Sequence, residues 1–263
     1  MLEIGGRAHR SAEVFQAYEW AREVGFPQIN IDLIAGMVGD TEDKWKETVD
    51  KALALDADSV TIYQMEVPHN TEIARQARTS GESTPVASWS TKRWWVDYAF
   101  RTFEKAGYVV SSGYTLYKPG NHHGFVYRDA LWHGADLIGT GVASFGHLAS
   151  VHYQNVDSWE GYIESLNRGE LPIGRAMLIT DRQRLIREMI LQMKLGRLDA
   201  DYFRRKFGQP ITSTFASAFD ALQNDGLLAL HGDEILLSRA GLLRVDSLLP
   251  RFFEPEFQNV RYT

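Results

Sequence analysis

The 263-residue chain is 44% hydrophobic and 24% charged, which supports a sizeable core and excludes wholesale disorder. Its formal net charge of −6 argues against general nucleic-acid binding, which draws its affinity from phosphate neutralisation. With no cysteine there are no disulfides or thiolate metal sites, and no apolar run approaches the roughly 18–20 residues that span a bilayer.

The residues from Met1 to Arg10 carry charges without the apolar centre of a signal peptide, so a cytoplasmic protein is expected. Ala12 to Val24 places Val14, Phe15, Ala17, Tyr18, Ala21 and Val24 on a helical stripe closed by Gly25. Ile29–Ile34 is a short apolar run with one embedded carboxylate, Asp32, and reads as a buried parallel strand. A glycine-bearing turn follows. Thr41 then caps a helix to about Leu55, with Glu42 and Asp43 where the helix dipole favours them. A second strand runs from about Ser59 to Val67, and the polar stretch Arg75 to Pro85 reads as a surface loop. Ser88 to Lys105 forms a third helix, and strands near Tyr108–Val110 and Asp136–Gly141 continue the alternation. The pattern predicts an α/β fold: a partial (β/α) barrel of parallel strands over residues 1–155.

The chain changes character near Val156. Helices are expected at Trp159–Asn167, Asp181–Leu195, Ala200–Phe207 and Thr214–Asp225, then two strands around the turn His231-Gly232-Asp233 and a last helix from Ser238. Residues 156–263 thus read as a mostly helical, winged-helix-like C-terminal domain. Its arginines and lysines are interleaved with Asp181, Glu188, Asp199 and Asp201, which fits a solvated helical face better than a DNA-binding one.

Asp32 is a candidate ligand-binding residue, because ligands of parallel α/β sheets sit at the strand C-termini and a carboxylate there needs a partner. A salt-bridged core aspartate is the alternative. The run from Gly139 to Gly146 looks like a phosphate-cradling loop, but it lacks the helical crossover of a dinucleotide site. His122, His123, His133, His147 and His152 tempt a metal assignment, yet His122 and His123 are adjacent in a turn-rich loop and no metal site is assigned.

Gly5-Gly6-Arg7-Ala8-His9, Ala21 to Phe26, Ile29 to Thr41, Asp58 to Tyr63, Asp136 to Phe145 and Tyr153-Gln154-Asn155 together resemble the oxygen-independent coproporphyrinogen III oxidase family of radical S-adenosylmethionine (SAM) enzymes. The resemblance implies that Arg7 pairs the methionyl carboxylate of SAM or an adjacent group. Asp32 would accept a hydrogen bond from a ribose hydroxyl or the amino group. Glu66 matches a position at the end of the second strand, Gly139 and Gly141 permit close backbone approach, and Phe145 packs against adenine. It further implies Arg7 and Asp32 facing one open cavity, and a tetrapyrrole substrate or heme as partner, without nucleic acid or membrane.

The family's 4Fe–4S cluster is held by a Cys-x-x-x-Cys-x-x-Cys motif, and this chain has no cysteine to match it. The expectation is therefore a C-terminal portion of such an oxidoreductase, inactive by itself in radical chemistry. The alternative is a chain that kept only a ligand-binding scaffold: a heme or tetrapyrrole carrier, or a relative of the radical SAM heme methyltransferases. Gly36-Met37-Val38 replaces the usual Gly-Leu-Pro, and Tyr114-Thr115 stands where the oxidases resemble Asp-His. Both departures bear on substrate choice rather than on the SAM scaffold.

Overall fold

The computed structural model describes residues 11–67, 75, 79, 86–120 and 124–258. They divide into two compact units, one of residues 1–123, 239–248 and 254–263, the other of residues 124–238 and 249–253. The fold is mixed α/β, with parallel and antiparallel pairing.

In the first unit, helix α1 (Ser11–Val24) ends at Gly25, whose φ of +83° suits glycine. Strand β1 (Asn30–Ala35) leads through helix α2 (Glu42–Ala54) to β2 (Ser59–Gln64), and β1 and β2 pair in parallel from Asn30↔Ser59 to Ala35↔Gln64. Thr41 caps α2 by accepting from the Lys44 amide, and Ser88 caps α3 (Trp89–Lys105) by accepting from the Thr91 amide. Trp45, Val49 and Ala52 of α2 meet Trp95, Val96, Ala99, Phe100 and Phe103 of α3 over Val60 and Ile62 of β2. The Trp45 indole donates to the Trp95 carbonyl at 2.8 Å, so the largest core side chain has its one donor satisfied.

The sheet departs from the expected all-parallel pattern. Its order is β1-β2-β4-β3, and β4 (Thr115–Tyr117) runs antiparallel to both β2 and β3 (Val109–Val110). Four residues join β3 to β4, and a connection that short makes a hairpin, because a parallel neighbour needs a crossover of about a dozen residues. Among the described residues β1 lies at the end of the sheet and Asp32 is exposed on it, so the strand expected to be buried is an edge strand there. Arg75 and Thr79 are helical, against the expected loop; the rest of Arg75 to Pro85 lies outside the described residues.

In the second unit, helix α4 (Val126–Trp132) precedes an antiparallel sheet of β5 (Phe145–Leu148), β6 (Val151–Asn155) and β7 (Ile173–Leu178), with helix α5 (Trp159–Asn167) between β6 and β7. Asp136–Gly141 is not a strand; Leu137 makes one bridge, to His147. The amides of Gly139 and Gly141 donate instead to the hydroxyls of Tyr153 (3.1 Å) and Tyr162 (2.9 Å), which removes them from any ladder.

Helix α6 (Asp181–Met193) starts with a reciprocal cap between Thr180 and Gln183. Then come β8 (Arg197–Asp199), α7 (Ala200–Phe207), α8 (Ile211–Thr214), α9 (Ala216–Asn224), β9 (Leu228–His231) and β10 (Glu234–Leu237), with sheet order β8-β10-β9. Met189, Phe203, Phe219, Leu222, Ile235 and Phe252 are buried here. Beyond Ser238 the expected single helix is two short ones, Arg239–Leu242 and Val245–Leu248. No helix among the described residues is long and apolar enough to cross a membrane.

Candidate functional site

Strand alternation gives the first unit's sheet two unlike faces. Val60, Ile62 and Ala35 point to the helices, while Asn30, Asp32, Thr61, Tyr63 and Thr115 occupy the opposite register positions. The polar groups on that side are knitted together. Asn30 accepts from Ser59 Oγ at 2.9 Å and Thr61 Oγ1 at 3.1 Å, and its amide donates to Asp32 Oδ1 at 2.7 Å. Thr61 and Thr115 hydroxyls are 3.3 Å apart. Asp32 stands opposite Thr61 in mid-strand, exposed, with Asn30 holding one carboxylate oxygen. Partial burial, and secondarily the charge of Asp32, raises the pKa of the half-exposed Tyr63 phenol.

The C-terminal ends of β1 and β2 are shaped by a lysine that the sequence reading missed. Lys92 on α3 is 3% exposed, and its ammonium donates to the Met65 carbonyl at 2.7 Å while lying 3.7 Å from the Trp89 ring. Its stem fills the space beside Gly36, where an added Cβ would lie 2.6 Å from Lys92 Cγ and Cδ and φ is +89°. Burial lowers the Lys92 pKa, and the nearby exposed Glu66 carboxylate opposes that shift. The available clue was position: Lys92 falls on the stripe of Val96, Ala99 and Phe103, where a solvated lysine does not belong. Tyr114, one of the two departures noted in sequence, donates its hydroxyl to Asp246 at 2.6 and 2.7 Å. Arg7 lies outside the described residues.

In the second unit, Gly139, Gly141 and Phe145 belong to one tightly folded loop. A Cβ on Gly139 would lie 2.2 Å from the Phe145 carbonyl oxygen, so only glycine fits, and Gly141 has φ of +98°. Asn155, 5% exposed, clamps the loop by donating its amide to the carbonyls of Gly139 and Gly141, each at 3.0 Å. A register shift at Gln154/Asn155 sets that residue off from the regular ladder. Phe145 is 51% exposed, with its ring stacked on His152 at 5.7 Å and 10°. Asn155, Tyr153 and Tyr162 were not expected in these roles.

Among the described residues no group of three or more His, Cys, Asp or Glu side chains is arranged to hold a metal ion. His133 is 2.6 Å from the Asp129 carbonyl through Nδ1 and packs edge-on against Tyr202, while His122 and His123 lie outside the described residues.

Residues 179–244, from just before α6 to just beyond the short helix Arg239–Leu242, match the family described as the HemN C-terminal domain. More than nine tenths of the chain is similar to oxygen-independent coproporphyrinogen III oxidases and HemW heme chaperones. It is 24% identical over 255 residues to heme chaperone HemW of Bacillus subtilis, covering 92% of this chain and 63% of that protein. It is 25% identical over 265 residues to the oxygen-independent coproporphyrinogen III oxidase of Synechocystis, covering 94% and 56%. The solved structure of coproporphyrinogen III oxidase (HemN) from Escherichia coli, a radical SAM enzyme, superposes with a TM-score of 0.77 over 95% of this chain and 60% of that one, at 19% identity. The chain thus spans about three fifths of the length of these relatives. The resemblance read from the sequence is to this same HemN and HemW group.

Proposed function

We propose that this chain carries the SAM-contacting and C-terminal parts of a radical SAM protein resembling oxygen-independent coproporphyrinogen III oxidase. The observation that carries this reading is the polar sheet face around Asp32, turned away from the helices in a chain similar to that family over more than nine tenths of its length. On this reading residues 1–155 are the radical SAM partial barrel and residues 156–263 a winged-helix-like C-terminal domain, the latter supported by the order from α6 to β10. Arg7, Asp32, Glu66, Gly139, Gly141 and Phe145 would contact SAM. Asp32 has one oxygen bound by Asn30, and Phe145 has one ring face on His152, which leaves acceptor and stacking capacity for a nucleoside. When bound to a cluster, SAM supplies the radical that starts oxidative decarboxylation of propionate side chains.

The cluster itself does not fit this polypeptide. There is no cysteine, and a 4Fe–4S cluster is anchored by thiolates that carboxylates and imidazoles do not replace all at once. The chain alone is therefore proposed to bind without catalysing. A second reading, a heme or tetrapyrrole carrier or a radical SAM heme methyltransferase relative, is favoured by the similarity to HemW over 92% of the chain. Equilibrium dialysis with radiolabelled SAM tests the primary reading. Wild-type chain should bind saturably and D32A at least about fivefold more weakly, the loss of one charged hydrogen bond. Equal binding by both proteins overturns the assignment of Asp32, and no binding by either overturns the SAM site.

A further inference from the structure

The β5–β6 hairpin holds a pair of histidines, neither assigned to SAM itself, although His152 stacks on Phe145. His147 and His152 face each other across the ladder, with ring centroids 6.1 Å apart. His147 is 5% exposed, and the Nδ1 atoms of both rings are buried without a hydrogen-bond partner. With Nδ1 sealed in, the proton of each neutral ring is best placed on Nε2, the nitrogen left able to donate outward. Arg187 of α6 acts electrostatically on both rings, and burial lowers its own pKa. It has no hydrogen bond or ion pair among the described residues. The neighbouring Glu188 carboxylate is engaged by Lys206 at 2.8 Å and Tyr202 at 2.7 Å. Both rings thus lie within electrostatic range of the Arg187 guanidinium, with the Asp136 carboxylate also acting on His147, and a part-buried guanidinium is costly without an anion. Met177 stands opposite His152 on β7, 44% exposed, and offers apolar surface beside the donors.

We propose that His147, His152 and Arg187 bind a carboxylate of a tetrapyrrole propionate side chain, with Met177 against the macrocycle. The inference rests on the tetrapyrrole side of the proposed function. A guanidinium fork flanked by imidazole N–H donors matches the carboxylate geometry. The alternative source of a carboxylate is the methionyl end of SAM. No iron ligation is involved, because the site recognises the side chain and not the ring centre.

The test is fluorescence anisotropy of coproporphyrin III, a metal-free tetracarboxylate, titrated with the full chain, alongside its tetramethyl ester. The wild type should bind saturably and the ester about tenfold or more weakly, with R187M matching that loss. H152Q, which keeps an amide donor near Nε2, should stay within about threefold, whereas H152F keeps a stacking ring and loses binding. Far-UV circular dichroism and melting curves must match the wild type; R187K replaces R187M, and H152L replaces H152F, where either fails this check, each expected to show the same ordering. Equal affinity for the ester, an unaffected R187M, or competitive displacement of coproporphyrin by SAM overturns the proposal. So does iron protoporphyrin binding that is lost with its Soret shift in H152Q, since that would show axial ligation. Failure to bind coproporphyrin while SAM still binds in an Asp32-dependent way overturns this inference alone; failure of both removes the functional reading as well.

Discussion

Lys92 donates to the carbonyl of Met65 at 2.7 Å while its methylenes occupy the space that a side chain at Gly36 would need. One residue of α3 therefore fixes the turn after β1 and the backbone end of β2 together. G36A should be destabilised by about 1–3 kcal/mol, from the left-handed backbone and the clash with the lysine stem. Shortening the lysine removes the clash but not the backbone strain. In urea unfolding, G36A should thus cost less in a K92A background than in the wild type, and strict additivity would show that the two residues do not meet.

The buried carboxylate of Glu188 gives a second test. Lys206 Nζ lies 2.8 Å from Glu188 Oε1, Tyr202 donates to Oε2 at 2.7 Å, and a Cβ on Gly134 would lie 2.1 Å from Oε1. K206M leaves a buried carboxylate without its cation and should cost about 2–3 kcal/mol, less than for a wholly buried pair because the lysine is 34% exposed. E188Q removes the charge while keeping an acceptor and should cost less. Chemical denaturation of the two variants checks the order, and a larger loss in E188Q would contradict this account of the pair.

Asp97 sets an acid limb of the stability profile. Burial alone would raise its pKa, but hydrogen bonds from Arg239 and Arg101 outweigh it and hold the carboxyl below its ordinary value of 3.8. A depressed folded-state pKa gives stabilisation that is complete above the unfolded value and lost as pH falls through the lower folded value. Melting temperatures measured downward from pH 5 should therefore drop less steeply in D97N than in the wild type. Parallel curves would mean that the Asp97 pair contributes nothing to acid unfolding.

The parts of this architecture that were legible in sequence are those set by local rules. Thr41 marks the start of α2 through its cap, Gly25 the end of α1, and the β1–α2–β2 unit follows from apolar spacing and crossover length. The β5–β6–β7 sheet was missed because its strands alternate His, Tyr, Gln and Gly where an apolar face is expected. The Gly139–Phe145 loop was recognisable as a glycine-rich run, but its clamp by Asn155 was not. That clamp depends on a side chain reaching carbonyls 14 and 16 residues back in the chain, which spacing alone does not encode. Lys92 was hidden in the same way. Composition treats a lysine on a helix as solvated; its place on the apolar stripe of α3 was a clue, and the packing over Gly36 shows it buried.

The histidine pair should make stability fall as the pH drops below neutrality. For His147 burial comes first among the causes that lower its pKa from 6.5, followed by the charges of Arg187, His152 and Arg184, with Asp136 opposing; for His152 burial leads and Arg187 follows. The unfolded chain takes up these protons near 6.5 and the folded chain only at lower pH, so the folded state is disfavoured progressively below 6.5. Urea midpoints between pH 7.5 and 5 should decline in the wild type. R187M removes a repelling charge and should flatten the decline, and H147Q, which does not titrate, should flatten it further. A bound carboxylate would oppose the same decline by stabilising the protonated rings. Saturating coproporphyrin III should therefore raise the midpoint more at pH 5.5 than at pH 7.5, and an equal rise at both would separate ligand binding from the His147–His152 pair.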